Sequence, residues 1–428
     1  MNQLSAKRVG QHGASQGAVV VDLDGPLIQS GIRGEIRWAR FAADSGLDPE
    51  LLPYDAALVG YIGSVRAEGF RTVLVFRGPE ATAQAIADHL GLFDVVLAGP
   101  DYHGSETLDA RLGSGAYAFG DGTGPNGTPK RRTFDFAAAR ALLLAMRPHQ
   151  WLKNLLVFVP VFTAHALTTG NLLAALAAFV AFSLTASSVY LVNDLVDLPS
   201  DRAHARKRLR PFASGRVLLD VGTVAAPLLL LAGGAIAALV SWPFFGVLLV
   251  YFAVTLAYSF ALKRKAILDI CVLAGLYTLR IVAGGAAVGL PISVWLLAFS
   301  IFFFLALASI KRQAELVDAR DSGKLGASGR DYVVDDIALV SQMAISASYV
   351  SVLVMALYVN TDDVTRLYRT PETLWGICLI LLYWLSRAVW KAHRGEMHDD
   401  PTVFALKDGI SRVAILLVLA CGVIGALA

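Results

Sequence analysis

From Leu152 to the C-terminus the chain is a succession of apolar runs. Each is about 20 residues long, the length an α-helix needs to cross a hydrocarbon core of about 30 Å. Nothing else in the sequence restricts the fold as strongly. Roughly nine spans of that length can be marked, at 151–169, 172–192, 222–240, 244–261, 267–288, 292–310, 339–359, 373–391 and 411–428. Residues 1 to about 135 differ, alternating short apolar runs with glycine and charge as a soluble α/β domain does. The average over 428 residues, 56% hydrophobic, therefore conceals a two-part chain: a soluble domain at 1–121, a linker at 122–139 and a membrane domain at 140–428. The fold class expected is an all-α transmembrane helical bundle preceded by a soluble α/β, Rossmann-like domain.

Charge orients the bundle. Loops at 165–171, 241–243 and 289–292 contain no Lys or Arg, whereas those at 193–220, 262–266, 311–336 and 391–410 are basic. By the positive-inside rule the basic set is cytoplasmic, which puts the soluble domain and Lys130-Arg131-Arg132 inside and the C-terminus outside. One outer loop, 360–372, carries Arg366 and Arg369, offset by Asp362, Asp363 and Glu372. No apolar core of signal-peptide length precedes Asp22, so insertion is expected to begin with the later helices, into the inner (cytoplasmic) membrane as a multi-pass protein. The span interiors are almost free of charge, Asp269 and Arg280 excepted. An ion channel or proton pump would scatter ionisable groups through the bilayer depth; here they form a cap on one side, which favours an enzyme working at that face. A net charge of +3 with no aromatic-basic platform argues against nucleic acid. Cys271, Cys378 and Cys421 all fall in apolar runs and imply no disulfide framework.

The cap is richest at Asn193-Asp194-Leu195-Val196-Asp197-Leu198-Pro199-Ser200-Asp201. The spacing i, i+3, i+7 would set the carboxylates of Asp194, Asp197 and Asp201 on one helical face. Carboxylates at membrane depth are costly without a cation, and three together suit Mg²⁺ shared with a phosphate-bearing substrate. Arg202, Arg206, Lys207, Arg208 and Arg210 follow at once and supply the cations a polyphosphate needs. A salt-laced cytoplasmic loop is the competing reading, because basic residues there also set topology.

These residues resemble a known family. The pattern N-D-x-x-D-x-x-x-D at Asn193–Asp201 is similar to the first aspartate-rich motif of the UbiA superfamily of intramembrane prenyltransferases, and the likeness extends through most of 140–428. Arg147-Pro148-His149-Gln150-Trp151-Leu152-Lys153-Asn154 looks like that family's approach to its first helix. Tyr258-Ser259 followed by Lys263-Arg264 resembles its phosphate-binding segment after the fourth. The resemblance implies a helical bundle around a cavity open to the lipid, with Mg²⁺ and pyrophosphate held at the cytoplasmic cap. Aromatic prenyltransferases carry a second acidic cluster at the end of the sixth helix. Here that place reads Ser309-Ile310-Lys311-Arg312-Gln313-Ala314-Glu315, with Asp318, Asp321, Asp331, Asp335 and Asp336 following in a longer loop without the usual spacing. Lys-Arg-x-x-Glu, with Arg-Pro-x-x-Trp-x-Lys-Asn, is similar to the decaprenyl-phosphate phosphoribosyltransferase branch, in which a polyprenyl phosphate attacks the anomeric carbon of phosphoribosyl pyrophosphate. Both substrates are anionic, a physical reason to exchange acids for cations.

Roles follow from that resemblance. Asp194, Asp197 and Asp201 would hold Mg²⁺ against the leaving pyrophosphate and, with Asn193, make up the catalytic set. Lys207, Arg208 and Arg210 are candidates for the ribose 5-phosphate or the pyrophosphate. Lys153, Lys311 and Arg312 are candidates for the lipid phosphate, with Glu315 orienting Lys311 or Arg312. Asn154, Tyr190, Tyr258 and Lys263 complete the substrate-binding set, although Lys263 and Arg264 equally serve as topology anchors. The alternative is transfer of a prenyl group from a prenyl diphosphate to an aromatic acceptor; a transporter or lipid-binding scaffold is the non-enzymatic alternative. A homo-oligomer is left open.

At the N-terminal end, Ala18-Val19-Val20-Val21-Asp22-Leu23-Asp24-Gly25 is an apolar strand closing in D-x-D-G, which resembles motif I of the haloacid dehalogenase superfamily. The resemblance implies Asp22 as a phosphoryl-accepting nucleophile, Asp24 as general acid and Mg²⁺ between them. Strands near 72–76, 95–97 and 117–119 would complete a parallel sheet, with Asp121 as a later acid. The family pattern is broken: Arg77 stands where a Ser or Thr belongs, no lysine occurs between Lys7 and Lys130, and Gly122-Thr123-Gly124 brings no second acid. A degenerate domain with little phosphatase activity is expected. Residues 122–133 read as a flexible linker turning basic, and 134–145 as an interfacial helix or the start of the first span.

Overall fold

The computed structural model describes residues 17–41, 47–99, 104–114, 116–119, 135–326, 330–397 and 400–427. By their contacts the residues form two compact units, Met1–Arg147 with Tyr190–Leu228, and Pro148–Val189 with Leu229–Ala428.

The first unit is built on a four-stranded parallel sheet of β1 (Ala18–Asp22), β2 (Arg71–Phe76), β3 (Val95–Ala98) and β4 (Tyr117–Phe119), in the order β3-β2-β1-β4. Strand β1 lies between β2 and β4, with Val20 opposite Val73 on one side and Phe119 on the other. Helices α1 (Ile32–Phe41), α2 (Ala56–Ala67), α3 (Glu80–Leu90) and α4 (Ser105–Leu112) connect the strands. Val21, Leu23, Leu74 and Phe76 are buried with Ile32, Ile62 and Ile86 on one face, and Ala18, Val20, Val73 and Val75 with Leu108 on the other. A sheet covered on both faces explains why β1 and β2 are apolar without alternation. Strands were expected at all four places, and all four form.

Of the expected linker, 122–134 lies outside the described residues. Helix α5 (Phe136–Ala145) has already begun by 136, started by the Asp135 carboxylate, which accepts from the Ala138 amide at 2.8 Å. It leaves Phe136, Leu143 and Leu144 exposed. The unit also takes in the stretch from Tyr190, comprising the end of α6 (Thr169–Val196), then α7 (Leu198–Ala203) and the start of α8 (Leu219–Val240).

The second unit is helical: most of α6 and α8, then α9 (Trp242–Phe260), α10 (Leu268–Val288), α11 (Val294–Asp321), α12 (Ile337–Val359), α13 (Trp375–His393), the short α14 (Pro401–Lys407) and α15 (Gly409–Leu427). Among the described residues, 8 helices are long and apolar enough to cross a membrane. The expected first span, 151–169, is not one of them and corrects the reading of about nine helices. It is a 3-10 run, Pro148–Phe158, followed by a five-residue α-helix, Val159–Thr163. At ~2.0 Å per residue in the first and ~1.5 Å in the second, the pair still extends about 30 Å. Pro160 lacks the N–H that an α-helical ladder would need there. Small residues bring the helices together: Ala178, Ala181, Ala237, Ala283 and Ala287 are buried with Phe182, Phe244 and Tyr251, and Ala274, Ala306, Ala344, Ala347 and Ala388 with Tyr277, Phe304 and Trp384.

Candidate active site

In the first unit, α6 stops at Val196 because Pro199, in the opening turn of α7, can neither donate to Leu195 nor fit against its carbonyl. The helical spacing nevertheless carries across the break: the Asp197 amide donates to the Asn193 carbonyl and the Asp201 amide to the Asp197 carbonyl, both at 2.8 Å. Asp194 and Asp201 are thereby brought together. One guanidinium nitrogen of Arg210 lies 3.3 Å from Asp194 Oδ1 and 2.6 Å from Asp201 Oδ2. Arg147 Nη2 reaches Asp194 Oδ1 at 2.5 Å, with its guanidinium 4.9 Å from the centre of the Tyr190 ring. Both carboxylates are buried, at 3% and 1% exposure, so their charge depends on these cations. Asp197, at the break, is half-buried and its side chain joins neither pair. Lys207 and Arg208 stand exposed on the turn Lys207–Leu209.

Among the described residues no three acids or metal-ligating groups gather closely enough to cage an ion. Mg²⁺ does not require a cage, being held by one or two carboxylates plus substrate phosphates. Two features fit it. A single cationic nitrogen already sits within reach of both Asp194 and Asp201, and Asp201 Oδ1 is buried with no hydrogen-bond partner.

In the second unit, Lys153 and Lys311 converge on Asp400, their ammonium groups 3.1 and 3.0 Å from Oδ2. Burial raises the Asp400 carboxyl, but Lys311, Lys153 and the Thr402 hydroxyl outweigh it and hold the group well below the usual carboxylate range. Lys153 also lines an apolar cavity of about 360 Å³, walled by Leu152, Leu156, Phe303, Phe304, Trp384 and Val418 among others. Arg312, fully buried, bonds Asp269 Oδ2 at 2.5 Å and pairs with Glu315. Tyr332 donates to Asp269 Oδ1 at 2.7 Å, and Arg330 approaches Glu315 at 3.4 Å. Tyr258 has Arg330, Arg312, Asp269 and Lys311 as electrostatic neighbours. Glu315 thus orients Arg312, while Asp400 orients Lys311. Lys263 is half-buried on the turn Leu262–Arg264.

Asn154 has a different place from its neighbour. It is 1% exposed, donates to Ser183 Oγ at 3.0 Å and accepts from Arg280 Nε at 2.9 Å. Arg280 continues to the Tyr251 hydroxyl at 3.0 Å and the Leu276 carbonyl at 2.5 Å. The two charges expected inside α10, Asp269 and Arg280, are therefore both compensated, and Asn154 serves the bundle's interior. Sequence reasoning missed Asp400, Arg330 and Tyr332. Asp400 caps the short helix Pro401–Lys407, its Oδ1 accepting from the Thr402 amide at 3.1 Å, and no local pattern links it to two lysines.

At the tip of β1, Asp22 is buried and accepts from the Asp24 amide at 2.9 Å. Asp24 is bound on both oxygens by Arg33, at 2.6 Å each. The Arg77 guanidinium lies against Gly104. Asp121 lies outside the described residues.

A family model described as "UbiA prenyltransferase family" matches residues 155–407. The chain is 36% identical to an uncharacterized protein of Sinorhizobium fredii over 85% of this chain and 78% of that one. It is 34% identical to the decaprenyl-phosphate phosphoribosyltransferase of Mycolicibacterium smegmatis over 67% and 91%. A UbiA homologue from Archaeoglobus fulgidus, solved bound to GPP and Mg²⁺, superposes with a TM-score of 0.50 at 16% identity, covering 66% of this chain and 99% of that one. The membrane helices, the paired aspartates and these likenesses agree: the chain is a multi-pass membrane protein belonging to the UbiA prenyltransferase family.

Proposed function

We propose that the protein transfers 5-phosphoribose from phosphoribosyl pyrophosphate to a polyprenyl phosphate at the cytoplasmic face of the inner membrane. The observation that carries this reading is the Lys153–Asp400–Lys311 cluster beside an apolar cavity. An apolar chain needs such a cavity, and one carboxylate between two ammonium groups leaves net positive charge for an anionic head. A prenyl diphosphate would suit the same cavity, but with a neutral aromatic acceptor only one substrate is anionic, whereas phosphoribosyl transfer brings two and gives Lys207 and Arg208 a substrate phosphate as well. The relatives named decaprenyl-phosphate phosphoribosyltransferase support the same choice.

In this reaction a phosphate oxygen of the lipid attacks the anomeric carbon, the bond from that carbon to the pyrophosphate oxygen breaks, and pyrophosphate leaves with the electron pair. Mg²⁺, held by Asp194 and Asp201, would supply charge neutralisation at the leaving group. Arg210 and Arg147 hold those carboxylates in place. Lys207 and Arg208, exposed and near in sequence, take the 5-phosphate or the pyrophosphate. Lys153 and Lys311 hold the lipid phosphate, whereas the charge of Arg312, fully buried between Asp269 and Glu315, is already offset and is assigned no substrate contact. The nucleophile arrives ionised, so no protein base is assigned.

Purified protein in detergent with Mg²⁺ is expected to release pyrophosphate only when both phosphoribosyl pyrophosphate and a polyprenyl phosphate are present. Asp194→Ala should reduce that rate by about 10²-fold or more. Release instead from a prenyl diphosphate with an aromatic acceptor would overturn the proposal in favour of aromatic prenyl transfer.

A further inference from the structure

The loop between α7 and α8 returns Arg210 to the carboxylates of Asp194 and Asp201 and displays Lys207 and Arg208 between. Within the first unit, that loop is fastened to the segment following β1. Glu35, on α1, receives Arg202 on both oxygens, Nη1 to Oε2 at 3.0 Å and Nη2 to Oε1 at 2.5 Å. The pair is deeply buried, with side-chain exposures of 3% and 8%. The remaining nitrogen, Arg202 Nε, donates to the Ala213 carbonyl at 3.3 Å. One guanidinium thus joins the last turn of α7, at 202, to the returning limb of the loop, at 213, and Glu35 fixes that guanidinium.

Two further contacts lie alongside. Gly215, at φ +69°, passes so near the backbone of Gln29 and Ser30 that a Cβ there would stand 2.7 Å from the Ser30 nitrogen. Arg37 pairs with Asp220 at the start of α8. The Asp22–Asp24 end of the same sheet is meanwhile closed by Arg33. In this domain the conspicuous carboxylate that does reach the transferase motif is Glu35.

We propose that Glu35 is a positioning residue of the transferase: by holding Arg202 it cinches the neck of the 203–212 loop and so sets Asp201 and Arg210 for the pyrophosphate-bearing substrate. The inference rests on the function proposed above for the consequence in turnover, but not for the contact itself. Asp201 is the immediate neighbour of Arg202, so freedom at Arg202 is freedom at Asp201. A bidentate guanidinium–carboxylate pair out of water restricts both direction and distance, which a surface pair does not.

The test uses the full-length protein in detergent. Hydrogen exchange without substrate is compared between wild type and Glu35→Gln. Exchange at 203–213 should rise by about tenfold or more in the variant, while β1 and β2 stay as protected as in wild type. In pyrophosphate release, the half-saturating phosphoribosyl pyrophosphate should rise about tenfold, with that for polyprenyl phosphate nearly unchanged, because Lys153 and Lys311 are untouched. The exchanged pair, Glu35→Arg with Arg202→Glu, should recover most of both losses. If Glu35→Gln does not fold, Glu35→Asp, shorter by one methylene, is carried through the same comparisons. Unchanged exchange at 203–213, or an equal rise for both substrates, overturns the proposal. If wild type itself releases no pyrophosphate from phosphoribosyl pyrophosphate, the functional reading fails, and the exchange comparison alone then decides the role of Glu35.

Discussion

Asp400 shows what a single residue can organise and why it escapes notice beforehand. It stands 247 positions from Lys153 and 89 from Lys311, yet binds both. Each lysine is a charge-assisted donor for which a lipid phosphate would compete, so Lys153→Met and Lys311→Met should each raise the KM for polyprenyl phosphate by about tenfold, leaving that for phosphoribosyl pyrophosphate within about twofold. Pyrophosphate-release kinetics read both. The pH dependence has a definite sign as well. With its folded value depressed, Asp400 contributes stability above the ordinary carboxylate range and loses it only as pH falls below that range. It therefore stays charged at working pH. The kcat/KM for lipid should rise as pH passes about 6, where a phosphate monoester loses its second proton, and remain level to about pH 9. A further inflection in the level region would reveal a protein base that the reading does not assign.

At the scale of elements, the 3-10 run Pro148–Phe158 is the largest departure from expectation. Hydropathy marks an apolar stretch but not its winding, because side-chain composition is similar for either ladder. What accommodates this run is α10: Gly284 lets the two backbones approach so closely that a methyl there would overlap the Val157 carbonyl. Arg280 on the same helix ties to Asn154. Gly284→Ala is expected to destabilise the protein by about 1–3 kcal/mol or more, since neither backbone can yield. A thermal melt in detergent would show it, and an unchanged melt would mean that the two elements are not packed as described. The first aspartate motif behaves otherwise. Its spacing was legible, and Asp194 and Asp201 do share a cation, but Pro199 interrupts the helix and Asp197 falls at the break.

For the whole molecule, a small parallel sheet accompanies the UbiA helices, and its acidic end bears on what the N-terminal domain does. Arg33 binds both oxygens of Asp24, so the carboxylate that the resemblance implies as a general acid is held in an ion pair. With Mg²⁺ and an aryl phosphate, the protein should turn over no faster than its Asp22→Asn variant; a Mg²⁺-dependent rate abolished by that substitution would refute the expectation. The sequence alone determined the four strands, nearly every membrane helix and the spacing of the first acidic motif. Those rest on local period, run length and short spacing, which neighbouring residues carry by themselves. Only the tertiary structure decided that Asn154 turns to Arg280 while Lys153 turns to Asp400, that Arg312 is clasped by Asp269, and that Glu35 meets Arg202 across 167 positions. Such pairings arise because a buried charge must find a counter-charge or neutral hydrogen-bond partners wherever the packed backbone offers them, and no local pattern records where that will be.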